Sequence, residues 1–409
     1  MDSKLYNLIY QEIERQRWTI NLIPSENLAS PKLLKILGSP LVNKYSEGYP
    51  GKRYYPGNKI YDEIEELARR RALKTFGLSS RDWAVNVQSY SGSPANHAVY
   101  SALINPGETL MGLSLTHGGH LTHGHLVNFS GQMYQSLPYE LDLKTGRIDY
   151  KYLEKLAREH NPKIIISGAT AYPRKIDFKR IKEIARRIKA YTMADISHIA
   201  GLVVAGLHPN PFRFVDVVTT TTHKSLRGPR GALIFSRKKT TRNGKSITEL
   251  IDRAVFPGLQ GGPHNNQTAA IAFAMREAKT KEFKEYQIQV VRNAFVLANE
   301  LIKLGFKLIS GGTDNHLMLV DLSRKKITGM DAEKKLEDSG IVANRNSIPG
   351  DKKPFRPSGI RIGTPYITSR GMKDKEMKII AKLIYKVLVE KKNQKQETQK
   401  LCMQFPLPY

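Results

Sequence analysis

From residue 83 onward, short runs of apolar and β-branched residues alternate with stretches in which apolar residues recur at helical spacing, the pattern of βα units feeding a largely parallel sheet. The runs that predict strands are WAVNVQ (83 to 88), ETLMGL (108 to 113), KIIISG (163 to 168), AYTMADI (190 to 196), DVVTTTTH (216 to 223) and GALIFSR (231 to 237). Between and after them PANHAVYSALI, DYKYLEKLAREH, DFKRIKEIARRIKA and HNNQTAAIAFAMREA predict helices. A long amphipathic stretch at roughly 281 to 304 leads to a segment of different order: HLMLVDL, a helix near 331 to 339, GIRIGTP and a final helix. The division expected is an N-terminal helix and arm over 1–48, a large domain over 49–278 and a smaller C-terminal α/β domain over 279–409. The polar tract EKKNQKQETQK is expected to fray, with the apolar FPLPY after it available to dock.

Composition narrows the class. The 409-residue chain has one cysteine, Cys402, which excludes an internal disulfide and a cysteine-built zinc site and suits a reducing compartment. Its first residues mix charge with apolar positions at helical spacing, unlike a signal peptide, and no run approaches the ~18 apolar residues of a membrane helix. A cytoplasmic protein is the expectation. The balance of 65 basic against 37 acidic residues leaves +28 and a pI near 9.9, which raises nucleic-acid binding as a rival class. Basic residues are spread along the chain, however, in runs such as RRRALK and SRKKTTRNGK, without a DNA- or RNA-binding motif. They read as solvated helix faces or as a surface that draws in anionic substrates, and neither a membrane nor a nucleic-acid partner is expected.

Five local patterns carry chemistry. In TTTTHKSLRGPRG (219 to 231) a threonine-rich strand stops just before Lys224, placing an amine where open α/β sheets leave a ligand crevice. Partial desolvation there would lower its pKa and make it a nucleophile, against the alternative of a solvated loop lysine. In QSYSGSPANHAVYSAL a strand runs into Ser91, Gly92 and Ser93, then Pro94 at a helix start; free amides and hydroxyls there suit a phosphate, and an ordinary N-cap is the alternative. THGGHLTHGH (116 to 125) packs four histidines among glycines. Their uneven spacing argues against a helical metal pair, and a histidine stacked on a flat ligand is the other reading. ADISHIAG puts Asp195 at a strand end, poorly solvated and in need of a partner such as a protonated ring nitrogen, with a structural ion pair or cap as the alternative. GIRIGTP sets Arg361 in a short strand, suited to bidentate carboxylate recognition or else simply exposed. Together these are the parts of a pyridoxal-phosphate site acting on an amino acid, with no metal.

At these residues the chain resembles the serine hydroxymethyltransferase family. LIPSENLASP (22 to 31), NKYSEGYPGKRYYPG (43 to 57), SGSPAN, HGGHLTHG, TTTTHKSLRGPRG, FPGLQGGPHNN (256 to 266) and GIRIGTP carry the resemblance in family order over nearly the whole chain. It implies the aminotransferase-like fold (fold type I) of pyridoxal-phosphate enzymes and a homodimer with shared active sites. By resemblance Lys224 binds the cofactor covalently beside His223, and Asp195 holds the ring nitrogen protonated. His120 stacks on the ring, and Thr170 and His198 hydrogen-bond near its oxygen. Ser91, Gly92 and Ser93 hold the phosphate, with Gly262 from the neighbouring subunit. Ser25 and Arg361 bind the substrate carboxylate, and Arg230 lines the cofactor region. Tyr45, Glu47 and Tyr55 come from the partner chain, with Glu47 transferring a proton at the serine hydroxyl; Tyr55 and Thr221 complete the catalytic set. Leu115, Leu121 and Asn346 are the residues implied for the pterin. The implied reaction moves the hydroxymethyl carbon of serine to a reduced pterin carrier, tetrahydrofolate or a modified tetrahydropterin, and yields glycine. A pterin-independent β-hydroxy amino acid aldolase is the alternative. The chain departs from the commoner pattern at Thr170, where a serine is more usual, in PSEN, and at Tyr366, where a small residue is common.

Overall fold

A computed structural model describes residues 2–351 and 356–409. Its main sheet has seven strands, β1 (Trp83–Asn86), β2 (Thr109–Leu113), β3 (Gln135–Tyr139), β4 (Ile164–Gly168), β5 (Tyr191–Asp195), β6 (Val217–Thr221) and β7 (Ala232–Arg237), in the order β1-β7-β6-β5-β4-β2-β3. β7 runs antiparallel to β1 and β6 on either side of it, and the other pairings are parallel. The strands are short apolar runs because both faces are covered. Met111, Ile165, Ala194, Val218 and Leu233 point into one buried cluster, and Leu110, Ile164, Met193, Val217 and Ile234 point into another. Helices α1 (Lys59–Thr75), α2 (Tyr150–His160), α3 (Phe178–Arg187) and α4 (Asn265–Glu277) lend Ala68, Leu153, Ile181 and Ile271 to the first cluster. The helix Gly92–Leu103 contributes Ala95, Val99 and Tyr100 to the second.

The expected strands are present, each trimmed at one or both ends. The strand β3 has no counterpart in the expectation, because Pro138 sits inside QSLPY; as the outermost strand it tolerates a proline that lacks a donor.

The long helix α5 (Lys281–Lys303) joins two cores: Phe283 packs in the first cluster, while Ala294, Leu297 and Leu301 pack in a separate one. That second core lies on an antiparallel sheet in which Leu317–Asp321 pairs with Gly359–Gly363. It also takes in Ile20 and Leu22 of the N-terminal arm, since Ile20–Asn21 pairs in parallel with Ile341–Val342. The tract 390–400 does not fray as expected. Lys395–Met403 is a helix that buries Thr398, Leu401 and Cys402, and Arg370 holds the chain after it by donating to the Phe405 carbonyl at 2.7 Å. Leu407 of the apolar tail docks against Leu28 and Tyr366. Among the described residues no helix is long and apolar enough to cross a membrane.

Candidate active site

The loops after β1, β2, β4, β5 and β6 converge at the C-terminal ends of the parallel strands. There they line a cavity of about 230 Å³ that includes Ser91, Gly92, His120, Asp195, Thr221 and Lys224. Ser93, Thr170, His198, His223 and Arg230 line it as well. Ser91 caps its helix with no side-chain hydrogen bond, so its hydroxyl is not spent on an ordinary N-cap. A Cβ at Gly92 would lie 2.8 Å from the Thr221 methyl, which explains why this turn needs glycine. The Thr221 hydroxyl is buried with no partner among the described residues.

Lys224 follows β6 by three positions, as the sequence pattern suggests. Burial lowers its amine to about 8, offset in part by Asp195 and reinforced by Arg361 and Arg230. A sizeable neutral fraction near physiological pH suits a nucleophile. His120 is pushed down to about 4, chiefly by burial and then by neighbouring charges, so its ring is neutral. The Thr122 amide donates to its Nδ1 at 3.2 Å and fixes the ring. The glycines before it permit a close approach: a Cβ on Gly119 would fall 1.8 Å from the Leu113 carbonyl oxygen.

Asp195 is the electrostatic centre. Burial pushes its carboxyl up, but the His123 hydrogen bond, the His123 and His120 rings and Asn96 outweigh this and hold it well below the usual carboxylate range. Asn96 donates to Oδ2 at 2.9 Å, His123 Nε2 lies 3.3 Å from the same oxygen, and the Ser197 amide donates to Oδ1 at 3.0 Å. In the chain, the histidine nearest Asp195 is His198, three residues on. The fold instead gives it His123 and turns His198 toward His316, with Nδ1 of His198 3.3 Å from Nε2 of His316. Asn96, His123 and His316 were missed. His123 had a signal, since it lies three residues from His120 in the same histidine cluster; His316 had only a polar residue opening an apolar strand. Thr170 spends its proton on the Gly119 carbonyl at 2.9 Å, so its hydroxyl is left to a ligand only as an acceptor.

A second cavity of about 390 Å³ opens from the first and is lined by Ser25, Leu115, Leu121, Lys224, Asn346 and Arg361. Arg361 donates to the Thr170 carbonyl at 2.7 Å and to Asn344 Oδ1 at 3.2 Å, and burial lowers it to about 10, still cationic at neutral pH.

Tyr45, Glu47, Tyr55 and Gly262 line neither cavity. They form a patch of their own. The Tyr45 and Tyr55 rings are 5.5 Å apart, and a Cβ on Gly262 would lie 3.1 Å from Tyr45 and 3.8 Å from Glu47. Arg53 clamps both neighbours of Glu47, donating to the Ser46 and Gly48 carbonyls at 2.7 and 2.8 Å, and its other end pairs with Glu65 at 2.7 Å.

The sheet order, with a lysine amine and an ionised carboxylate facing one cavity at the strand ends, defines the fold type I class of pyridoxal-phosphate enzymes. Within that class the chain belongs to the serine hydroxymethyltransferase family, whose profile matches residues 1–384. It is 51% identical over 414 aligned positions to a serine hydroxymethyltransferase of Desulfotalea psychrophila (strain LSv54 / DSM 12343), covering all of this chain and 95% of that one. It is also 51% identical to a putative mitochondrial serine hydroxymethyltransferase of Neurospora crassa, over 94% of this chain and 73% of the relative.

Proposed function

We propose that the protein interconverts serine and glycine with a reduced folate as one-carbon carrier, using pyridoxal 5′-phosphate bound at Lys224, in a homodimer whose subunits complete each other's sites. The observation that carries this reading is the convergence of a pKa-lowered amine and a buried, ionised carboxylate on one cavity with an unoccupied hydroxyl partner at Thr221. The residues present fit the cofactor. The Ser91–Ser93 turn offers hydroxyls and helix N-terminal amides for its phosphate, and the neutral His120 ring a face for stacking. Bound there, the ring supplies an electron sink for the carbanion left when a bond to Cα breaks.

The chain's own groups do the rest. Asp195 stays ionised inside the fold because His123, Asn96 and the Ser197 amide share its charge, so it can hold a proton on the pyridine nitrogen. Arg361 and Ser25 bind and orient the substrate carboxylate, which aligns the Cα bond to be broken. Leu115, Leu121 and Asn346 offer the carrier an apolar wall and an amide in the adjoining cavity. Glu47, with Tyr45, Tyr55 and Gly262, is the contribution of the partner subunit, with Glu47 moving a proton at the serine hydroxyl. Two observations support that sharing: the patch lines neither cavity, and the N-terminal helix Ser3–Arg17 buries no residue in its own chain while exposing Leu5, Tyr6, Leu8, Ile9 and Tyr10. We also infer a cytoplasmic location from the lone, free Cys402.

Borohydride reduction of the cofactor-loaded protein followed by peptide mapping tests the assignment. A pyridoxyl label on Lys224 is expected; a label elsewhere, or none, refutes it. Serine cleavage indifferent to added tetrahydrofolate would return the reading to a carrier-independent β-hydroxy amino acid aldolase, which the family does not favour.

A further inference from the structure

His316 is fully buried and lies just before the strand Leu317–Asp321 of the second core. Its side chain has one polar contact among the described residues, the 3.3 Å approach of its Nε2 to Nδ1 of His198. The two rings lie 5.5 Å apart between centroids and 27° from parallel. Burial lowers both: His316 to about 3, with Arg361, Lys224 and His208 adding to it, and His198 well below the ordinary range, with Lys224 and Arg361 next in order. Both rings are therefore neutral at physiological pH, and the contact holds a single proton, so one ring donates and the other accepts.

The remaining nitrogen of His316 decides which. Nδ1 is buried without a partner. A proton there would leave a buried N–H unmade, at a cost of about 1–3 kcal/mol, whereas a bare acceptor is the better tolerated orphan. The proton of His316 therefore sits on Nε2 and is donated to His198 Nδ1. His198 must then carry its own proton on Nε2, the nitrogen left for the two cavities that its ring lines.

We propose that His316 is a positioning residue that fixes the tautomer of His198, so that His198 presents an N–H donor to the cofactor's ring oxygen and does not serve as a base there. The proposal rests on the pyridoxal-phosphate reading for the identity of the acceptor; the tautomer itself rests on the contact, the unpartnered Nδ1 and the burial that keeps both rings neutral. It also ties two parts of the site together. The Thr364 amide donates to the His316 carbonyl at 3.1 Å, and Leu317 pairs with Gly363 on the strand that carries Arg361. The element that grips the substrate carboxylate thus also sets the hydrogen bond at the cofactor oxygen.

Long-range ¹H–¹⁵N spectra of histidine-labelled full-length protein, cofactor-free and loaded, read the tautomers directly. Both His316 and His198 are expected as neutral Nε2–H forms. His316→Asn, whose amide can still donate, should keep His198 in that form. His316→Phe should release it into mixed tautomers and move the pH midpoint of the bound cofactor's absorbance, with kcat falling about 10-fold and KM for serine little changed. A wild-type His198 carrying its proton on Nδ1, or a His198 signal indifferent to His316→Phe, overturns the proposal. Because the tautomer is also read without cofactor, it decides the matter whether or not borohydride labels Lys224; loss of that label refutes the cofactor reading separately.

Discussion

Lys224, Asp195 and His198 sit among neighbours of their own chain, which have already shifted their protonation equilibria. The Tyr45–Glu47–Tyr55 patch is the reverse. Tyr45 is 62% and Tyr55 43% exposed, and what is buried there is the scaffold behind Glu47, the Arg53–Glu65 pair. One region has its chemistry prepared by the fold of a single chain. The other has its backbone prepared and its side chains left facing outward, which makes sense if they are completed by a second copy. Under the proposed function, the groups that bind and polarise the cofactor are separated from the group that handles the substrate's proton, and association is a condition of turnover.

Subunit mixing breaks that comparison most sharply. Lys224→Ala and Glu47→Gln variants should each be nearly inactive alone. Refolded or exchanged together at equal amounts, they should recover about a quarter of wild-type activity, because half the dimers are mixed and each of those holds one intact site. No recovery in verified mixed dimers would place both residues in the same chain's site.

A smaller effect is expected at Arg361, the proposed carboxylate grip. Arg361→Lys keeps a positive charge but loses the planar fork, and should lower kcat/KM for serine by about 100- to 1,000-fold, mostly through KM, with the borohydride label on Lys224 retained. Steady-state kinetics on the loaded enzyme checks this.

The smallest effect is on stability and concerns the prepared cavity alone. In the cofactor-free protein Lys224 has its pKa lowered from 10.5 to about 8, so between those values the unfolded state binds more protons and wild-type stability rises with pH. Below pH 8 the buried ammonium carries its full penalty. Lys224→Met should therefore stabilise the cofactor-free protein by about 2 kcal/mol at pH 7, an advantage that shrinks as pH climbs through 8 toward 10.5. Thermal unfolding followed across that range would show it, and a constant difference would contradict the burial of the amine.

The main sheet was legible because a strand covered on both faces must be a short apolar run, as in KIIISG, and the helices between declared themselves by spacing. The edge strand holding Pro138 was not, since its ladder is one-sided and its proline mimics a turn. Lys224 and Asp195 were legible as strand-end residues, and Arg361 by its place in GIRIGTP. His123 was visible only as one of four histidines. The C-terminal helix Lys395–Met403 was hidden by its polarity: only Thr398, Leu401 and Cys402 face inward, too few to raise a periodic signal in so short a segment.

The sequence alone determined which residues could do chemistry and at which strand ends they stand, because side-chain type and strand period are local properties of the chain. Which groups face one another was decided only by tertiary structure: Asp195 with His123 across 72 positions, and His198 with His316 across 118. Hydrogen-bond partners of buried groups are chosen by the packing of distant elements, and a buried polar atom must take whichever partner the fold brings within reach.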